Sequence, residues 1–140
     1  VMVGAGDDLP RYRVQVQRQG VGERVRFLPP MPAREAFALA RLVVVPSRAE
    51  AMPYIVLEAL AAGKPMIATA VGGIPEIFDA DSPALARPDA GQIAGRMSAA
   101  LADLDAYRAL MPDLATLKGR FGVDVMAAEI EAAYFAALKK

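Results

Sequence analysis

The chain has 140 residues, enough for one domain with a sizeable core, and 55% of them are hydrophobic, which excludes a disordered chain. Sixteen basic and sixteen acidic residues cancel, and no basic cluster stands out, so nothing points to nucleic acid. With neither cysteine nor histidine, the chain has no disulfide, no thiolate metal site and none of the commonest general base. No apolar run approaches the ~18 residues of a membrane span, and no signal peptide is visible.

Val1-Met2-Val3 reads as the tail of a buried strand, from which the chain is expected to be an excised fragment of a longer protein. The turn Gly4-Ala5-Gly6-Asp7-Asp8 follows. Leu9, Tyr12 and Val16 lie at helical spacing, and Gly20 stops that helix. Arg24 to Leu28 is expected as a short strand, and Pro29-Pro30-Met31-Pro32 as a stiff loop. A short helix over Arg34 to Ala40 precedes Leu42 to Val45, a β-branched strand expected to be buried on both faces. A polar turn then leads to a helix starting near Pro53, with Pro53 at its first position, and ending at Gly63. Pro65 to Thr69 is the next strand, followed by the Gly72-Gly73 turn, a short helix through Phe78 and a weak strand over Ala84 to Ala86. Everything after Asp89 reads as helix. One apolar stripe runs through Tyr107, Leu110, Met111, Leu114 and Leu117, kinked at Pro112; another through Val123, Met126, Ile130, Ala133 and Ala137.

Strands alternating with helices through short loops imply a Rossmann-like parallel sheet with helices on both faces. The expected organisation is a single domain, with an α/β core over 1–88 and carboxyl-terminal helices over 89–140. Ligands of such sheets bind beyond the carboxyl ends of the strands. The loops Gly4 to Asp8, Pro29 to Pro32, Pro46 to Pro53 and Ala70 to Gly73 all fall on that edge. Glu50 lies in the third of them, and Glu58 lies about one turn into the following helix, on the face of Tyr54 and Ile55. The first amides of that helix are free to attract an anion. Carboxylates beside an anion site suit the hydroxyls of an attached sugar or ribose. The bland alternatives are a solvated loop carboxylate for Glu50 and an ordinary exposed helix residue for Glu58.

Four elements follow one another within about thirty residues: Pro46-Ser47; Glu50 and Glu58 with seven residues between them; Glu58-Ala59-Leu60-Ala61-Ala62-Gly63-Lys64-Pro65; and Gly72-Gly73-Ile74-Pro75-Glu76. Together they resemble the donor-binding, carboxyl-terminal half of retaining GT-B glycosyltransferases of the family 4 type, with its E-x7-E motif. Upstream Gly4-Ala5-Gly6 and the terminal helices extend the resemblance over essentially the whole chain.

The resemblance implies transfer of a sugar from a nucleotide diphosphate donor to an acceptor in polysaccharide, lipopolysaccharide or glycolipid assembly. It implies a catalytic role for Glu50 at the donor sugar, and Glu58 as acceptor for two ribose hydroxyls. The amides of Ala51, Met52, Tyr54 and Ile55 are candidates for the diphosphate, although the family usually has glycines where Ala51-Met52-Pro53 stand here. Met31 matches the loop against the nucleobase. Gly4 and Gly6 match a glycine turn near the donor, or serve as a purely structural turn. No cofactor and no metal are expected, and Asp79-Ala80-Asp81 reads as a solvent turn. The implied strand order, 3-2-1-4-5-6, makes the first strand of the domain absent from this chain. Its expected partner is the amino-terminal acceptor domain of the same protein. The expected location is the cytoplasm, with peripheral membrane association through that other half. A non-catalytic nucleotide-binding or interaction module, and a GT-B-shaped sugar-nucleotide epimerase, are the competing readings.

Overall fold

Among the described residues, five short parallel strands, each leading into a helix or helical turn, give a mixed α/β fold. The computed structural model describes residues 1–79 and 81–138. The chain forms two compact units, Val1–Arg41 and Leu42–Lys140. Among the described residues, strand content ends at Ala86, and every later element is helical.

In the first unit, β1 (Met2–Val3) pairs in parallel with β2 (Phe27–Leu28), Met2 opposite Phe27 and Val3 opposite Leu28. Between them runs α1 (Leu9–Arg18), which closes at Gly20 as its spacing implies. The expected strand at Arg24 is shorter than the sequence suggests. A 3-10 turn occupies Gly22–Arg24, and the Val25 amide closes onto the Gly22 carbonyl, so pairing begins only at Phe27. α2 (Ala33–Ala38) follows the proline loop and carries Phe37, the one buried apolar residue of this unit among those described.

The second unit holds β3 (Val43–Val45), β4 (Met66–Thr69) and β5 (Leu85–Ala86), parallel in that order, with Val45 opposite Ala68 and Thr69 opposite Ala86. Every neighbour pair agrees with the implied strand order. All four residues of β4 are buried, because it has a strand on either side and α3 (Tyr54–Ala61) and α5 (Ala90–Ala102) pack on it. β3 lies at the sheet edge, so Val43 and Val44 are only half-buried and Val45 alone is fully covered; burial on both faces is not observed. α3 turns Val56, Ala59 and Leu60 inward and ends at Gly63, whose φ of +66° suits glycine. α4 (Ile74–Ile77) buries Ile74 and Ile77.

The helical tail is more broken than its stripes suggest. Pro112 does not kink one helix but separates α6 (Leu104–Arg108) from α7 (Leu114–Phe121), since a proline cannot donate within a helix and clashes with the preceding turn. Tyr107 and Leu117 are buried and Met111 half-buried, while Leu110 and Leu114 are exposed. α8 (Val123–Leu138) buries none of its residues, so its stripe is a surface and not core. No helix among the described residues is long and apolar enough to cross a membrane.

Candidate functional site

β3 delivers the chain at Pro46 to the loop that carries Glu50, and β4 delivers it at Ala70 to the turn Val71-Gly72-Gly73. Because β3 and β4 are parallel and adjacent, both loops emerge at the same sheet edge. They meet there. The Gly73 amide donates to the Ala51 carbonyl at 2.9 Å. Gly72 has φ +53°, and a methyl group at its Cα would overlap the Glu50 carbonyl oxygen; one at Gly73 would stand 2.5 Å from the Ala51 carbonyl oxygen. Two glycines are needed here because backbone passes against backbone, and at Gly72 also because the turn is left-handed.

Glu50 is half-buried, and the Ser47 hydroxyl donates to its Oε1 at 2.6 Å. The buried Thr69 hydroxyl donates to the Ser47 carbonyl at 2.5 Å and has the Val45 carbonyl at 3.4 Å. A carboxylate with one oxygen held by a neutral hydroxyl keeps the other available to a ligand. Glu58 is exposed on α3, on the face of the exposed Tyr54 and Ile55.

Pro53 occupies the N-cap of α3, with φ −81° and ψ 96°, and not its first helical position. The first amides are therefore those of Tyr54 and Ile55, and neither has an acceptor among the described residues; the Val56 amide closes on the Pro53 carbonyl at 3.0 Å. Met52 is exposed beside them. Glu50, Ala51, Met52, Tyr54, Ile55 and Glu58 thus share one loop and helix start. The segment offers carboxylate acceptors and unpaired amide donors, the set needed for a ligand with hydroxyls and an anionic group.

Gly4, Gly6 and Met31 belong to the first unit. Gly4 has φ +141° and donates its amide to the Leu28 carbonyl at 3.1 Å. With Gly6 it borders a cavity of about 170 Å³ that also touches Leu9, Tyr12 and Phe27. Met31 is half-buried in the proline loop ahead of α2. Asp79 and Asp81 are exposed, and Ala80 lies outside the described residues. Among the described residues no group of three acidic side chains is placed to hold a metal ion.

Sequence reasoning missed Thr69. Its signal was a hydroxyl at the carboxyl end of an otherwise apolar strand, next to the loop of the neighbouring strand. Gly72-Gly73 was legible as a turn, but its close approach to Glu50 was not.

Residues 1–103 match the family described as glycosyl transferases group 1. Over 58 residues the chain is 50% identical to D-inositol 3-phosphate glycosyltransferase 1 of Catenulispora acidiphila, covering 39% of this chain and 14% of that protein. Over 93 residues it is 37% identical to D-inositol 3-phosphate glycosyltransferase of Corynebacterium aurimucosum, covering 64% of this chain and 22% of that one. The chain thus spans less than a quarter of the length of these curated relatives. Among solved structures it is similar to sucrose-phosphate synthase of Thermosynechococcus elongatus, with TM-score 0.80 and 27% identity over 98% of this chain and 38% of that chain. It also resembles HepE of Anabaena in complex with UDP, with TM-score 0.84 and 22% identity over 96% of this chain and 40% of that chain. The parallel sheets flanked by helices are those of GT-B glycosyltransferase structures.

Proposed function

This chain belongs to the glycosyl transferases group 1, and we propose that it forms the nucleotide-sugar donor site of a retaining sugar transferase of the family 4 type. The observation that carries this reading is the half-buried Glu50 carboxylate, held on one oxygen by Ser47, in the loop that leads into the unpaired amides opening α3. In this reading the amides of Tyr54 and Ile55, with those of Ala51 and Met52, receive the diphosphate. Glu58 accepts from the ribose hydroxyls. The free oxygen of Glu50 faces the donor sugar and the positive charge that develops as the sugar–phosphate bond breaks. Transfer proceeds on the face from which the phosphate leaves, so the departing phosphate oxygen takes the acceptor's proton and no histidine base is required of this chain. The reaction needs no metal. Its setting is the cytoplasm, in assembly of a polysaccharide, lipopolysaccharide or glycolipid, with the acceptor bound by a domain outside this sequence.

A panel of UDP-, GDP- and ADP-sugars, followed by thermal shift on the longest natural polypeptide that contains this chain, tests donor binding. The bound UDP of HepE makes UDP-sugars the first to try. One class should stabilise the protein, and a flat response to all three sinks the reading. With the responding donor, Glu50→Ala should lower turnover about 100-fold or more, as loss of a charged group facing the transition state does. Glu58→Ala should instead weaken donor binding by about 1–3 kcal/mol, with turnover at saturation largely kept.

A further inference from the structure

The residues that hold Glu50 form a chain of hydroxyls reaching into the sheet. Thr69 is 1% exposed and stands at the last position of β4. Its single hydroxyl proton serves the Ser47 carbonyl at 2.5 Å in preference to the Val45 carbonyl at 3.4 Å. That bond fixes the backbone of Ser47 where the chain leaves β3. Ser47 in turn directs its own hydroxyl proton at Oε1 of Glu50, three residues on, at 2.6 Å. Beyond Glu50 the loop is held a second time, by the Gly73 amide on the Ala51 carbonyl and by the close passage of Gly72 beneath the Glu50 carbonyl. The loop is thus pinned on both sides of Glu50, and both pins come from the end of one buried strand and the turn after it.

We propose that Ser47 and Thr69 are positioning residues for Glu50, with Thr69 fixing the Ser47 backbone and the Ser47 hydroxyl orienting the carboxylate so that its second oxygen faces the donor sugar. This rests on the reading of Glu50 as the group that faces the reacting sugar. Glutamate has three side-chain torsions, and a carboxylate at the mouth of a loop samples many rotamers unless one oxygen is tied. Ser47 removes that freedom without neutralising the charge. Neither hydroxyl needs to touch substrate. Their effect therefore belongs in the chemical step and passes through Glu50.

The test is steady-state kinetics on the longest natural polypeptide containing the chain, with the donor identified above. The variants are Ser47→Ala, Thr69→Val, Thr69→Ser, Glu50→Ala and the double variant Ser47→Ala/Glu50→Ala. Ser47→Ala should lower kcat about tenfold, in line with one hydrogen bond to a charged group, while donor KM moves less than about threefold. Thr69→Val should lower kcat in the same way, and Thr69→Ser, which keeps the hydroxyl, should restore it to within about twofold. In the Glu50→Ala background the Ser47→Ala change should cost nothing further, since the carboxylate it orients is gone. The same tenfold loss in both backgrounds shows that Ser47 acts independently of Glu50 and overturns the proposal. So does an unimpaired Ser47→Ala enzyme alongside an impaired Glu50→Ala enzyme, which leaves the role of Glu50 standing. A Thr69→Ser enzyme as poor as Thr69→Val removes Thr69 from the chain. Wild-type kinetics in Glu50→Ala alone refute the catalytic reading of Glu50, and the positioning role with it.

Discussion

β1 and β4 are spelled alike, as apolar runs leading into a glycine-containing turn, yet they stand at opposite ends of burial. Met2 and Val3 are both exposed, at 43% and 38%, while Met66, Ile67, Ala68 and Thr69 are all at 1% or below. β4 has a strand on each side and helices on it; among the described residues β1 pairs with β2 alone. The contrast extends to the units that contain them. The first buries Phe37, whereas the second buries Val56, Ile74, Ile77, Leu117 and the rest of the apolar core described. Hydropathy states which segments gain by burial; the number of packed neighbours decides how much of that gain is realised. The second unit therefore carries its own core, and the loops of Glu50 and Gly72 are built on it.

The largest expected effect comes from cutting that core. Ile67→Ala removes a fully buried side chain that packs with Ala86, Ala100 and Tyr107, and should cost about 2–5 kcal/mol. Met2→Ala in β1 should cost less than about 1 kcal/mol, because the side chain is already in water. Urea midpoints of the two variants measure the difference. Equal losses would show that the first unit has a core as consequential as the second.

A smaller contrast separates two glycines with similar backbones. Gly20 has φ +66° and open space where a Cβ would stand, whereas Gly72 has φ +53° and the Glu50 carbonyl in that place. Both substitutions to alanine should lose about 1 kcal/mol or more to backbone strain. Gly72→Ala should in addition depress turnover by displacing the Glu50 loop, and Gly20→Ala should leave turnover at the wild-type rate. Turnover untouched in Gly72→Ala would uncouple the turn from the loop it presses against.

Much of this frame was legible beforehand. Strand and helix order could be read because short β-branched runs and glycine stops punctuate the chain, and the loop with Glu50 followed from its place after a strand. Of the features that were not legible, three have clear physical reasons. The bond from Thr69 to Ser47 depends on the register that sets Val45 opposite Ala68, and register between distant segments is a tertiary quantity. The exposure of Met126 and Ile130 depends on what packs on α8, and an apolar stripe has the same spacing whether or not it is covered. Pro53 sits one position earlier than expected, since either the N-cap or the first turn tolerates a residue without an amide proton.

The smallest effect tests how the helical tail is fastened to the sheet, and it has a defined pH signature. The buried Tyr107 hydroxyl lies 3.2 Å from the Met66 carbonyl and 3.1 Å from the Pro83 carbonyl, so it ties α6 both to β4 and to the approach of β5. Tyr107→Phe keeps the ring among Ile67, Ala86 and Ala100 and loses only these bonds, for about 0.5–1.5 kcal/mol at neutral pH. Burial raises the pKa of this hydroxyl above 10.0, and the nearby charge of Arg96 offsets part of the rise. The fold therefore favours the protonated hydroxyl. Below about pH 10 the folded and unfolded states both hold the proton, and Tyr107 adds no pH dependence. As pH climbs past that value the unfolded chain releases its proton first, so it binds fewer protons than the native state and stability falls with pH. The fall continues until the folded hydroxyl titrates too. Tyr107→Phe should be the less stable protein near neutrality and should decline less steeply in alkali, so that the two curves of urea midpoint against pH converge. Parallel curves would mean that the hydroxyl is as well solvated in the fold as in the unfolded chain, and that α6 is held to the second unit by ring packing alone.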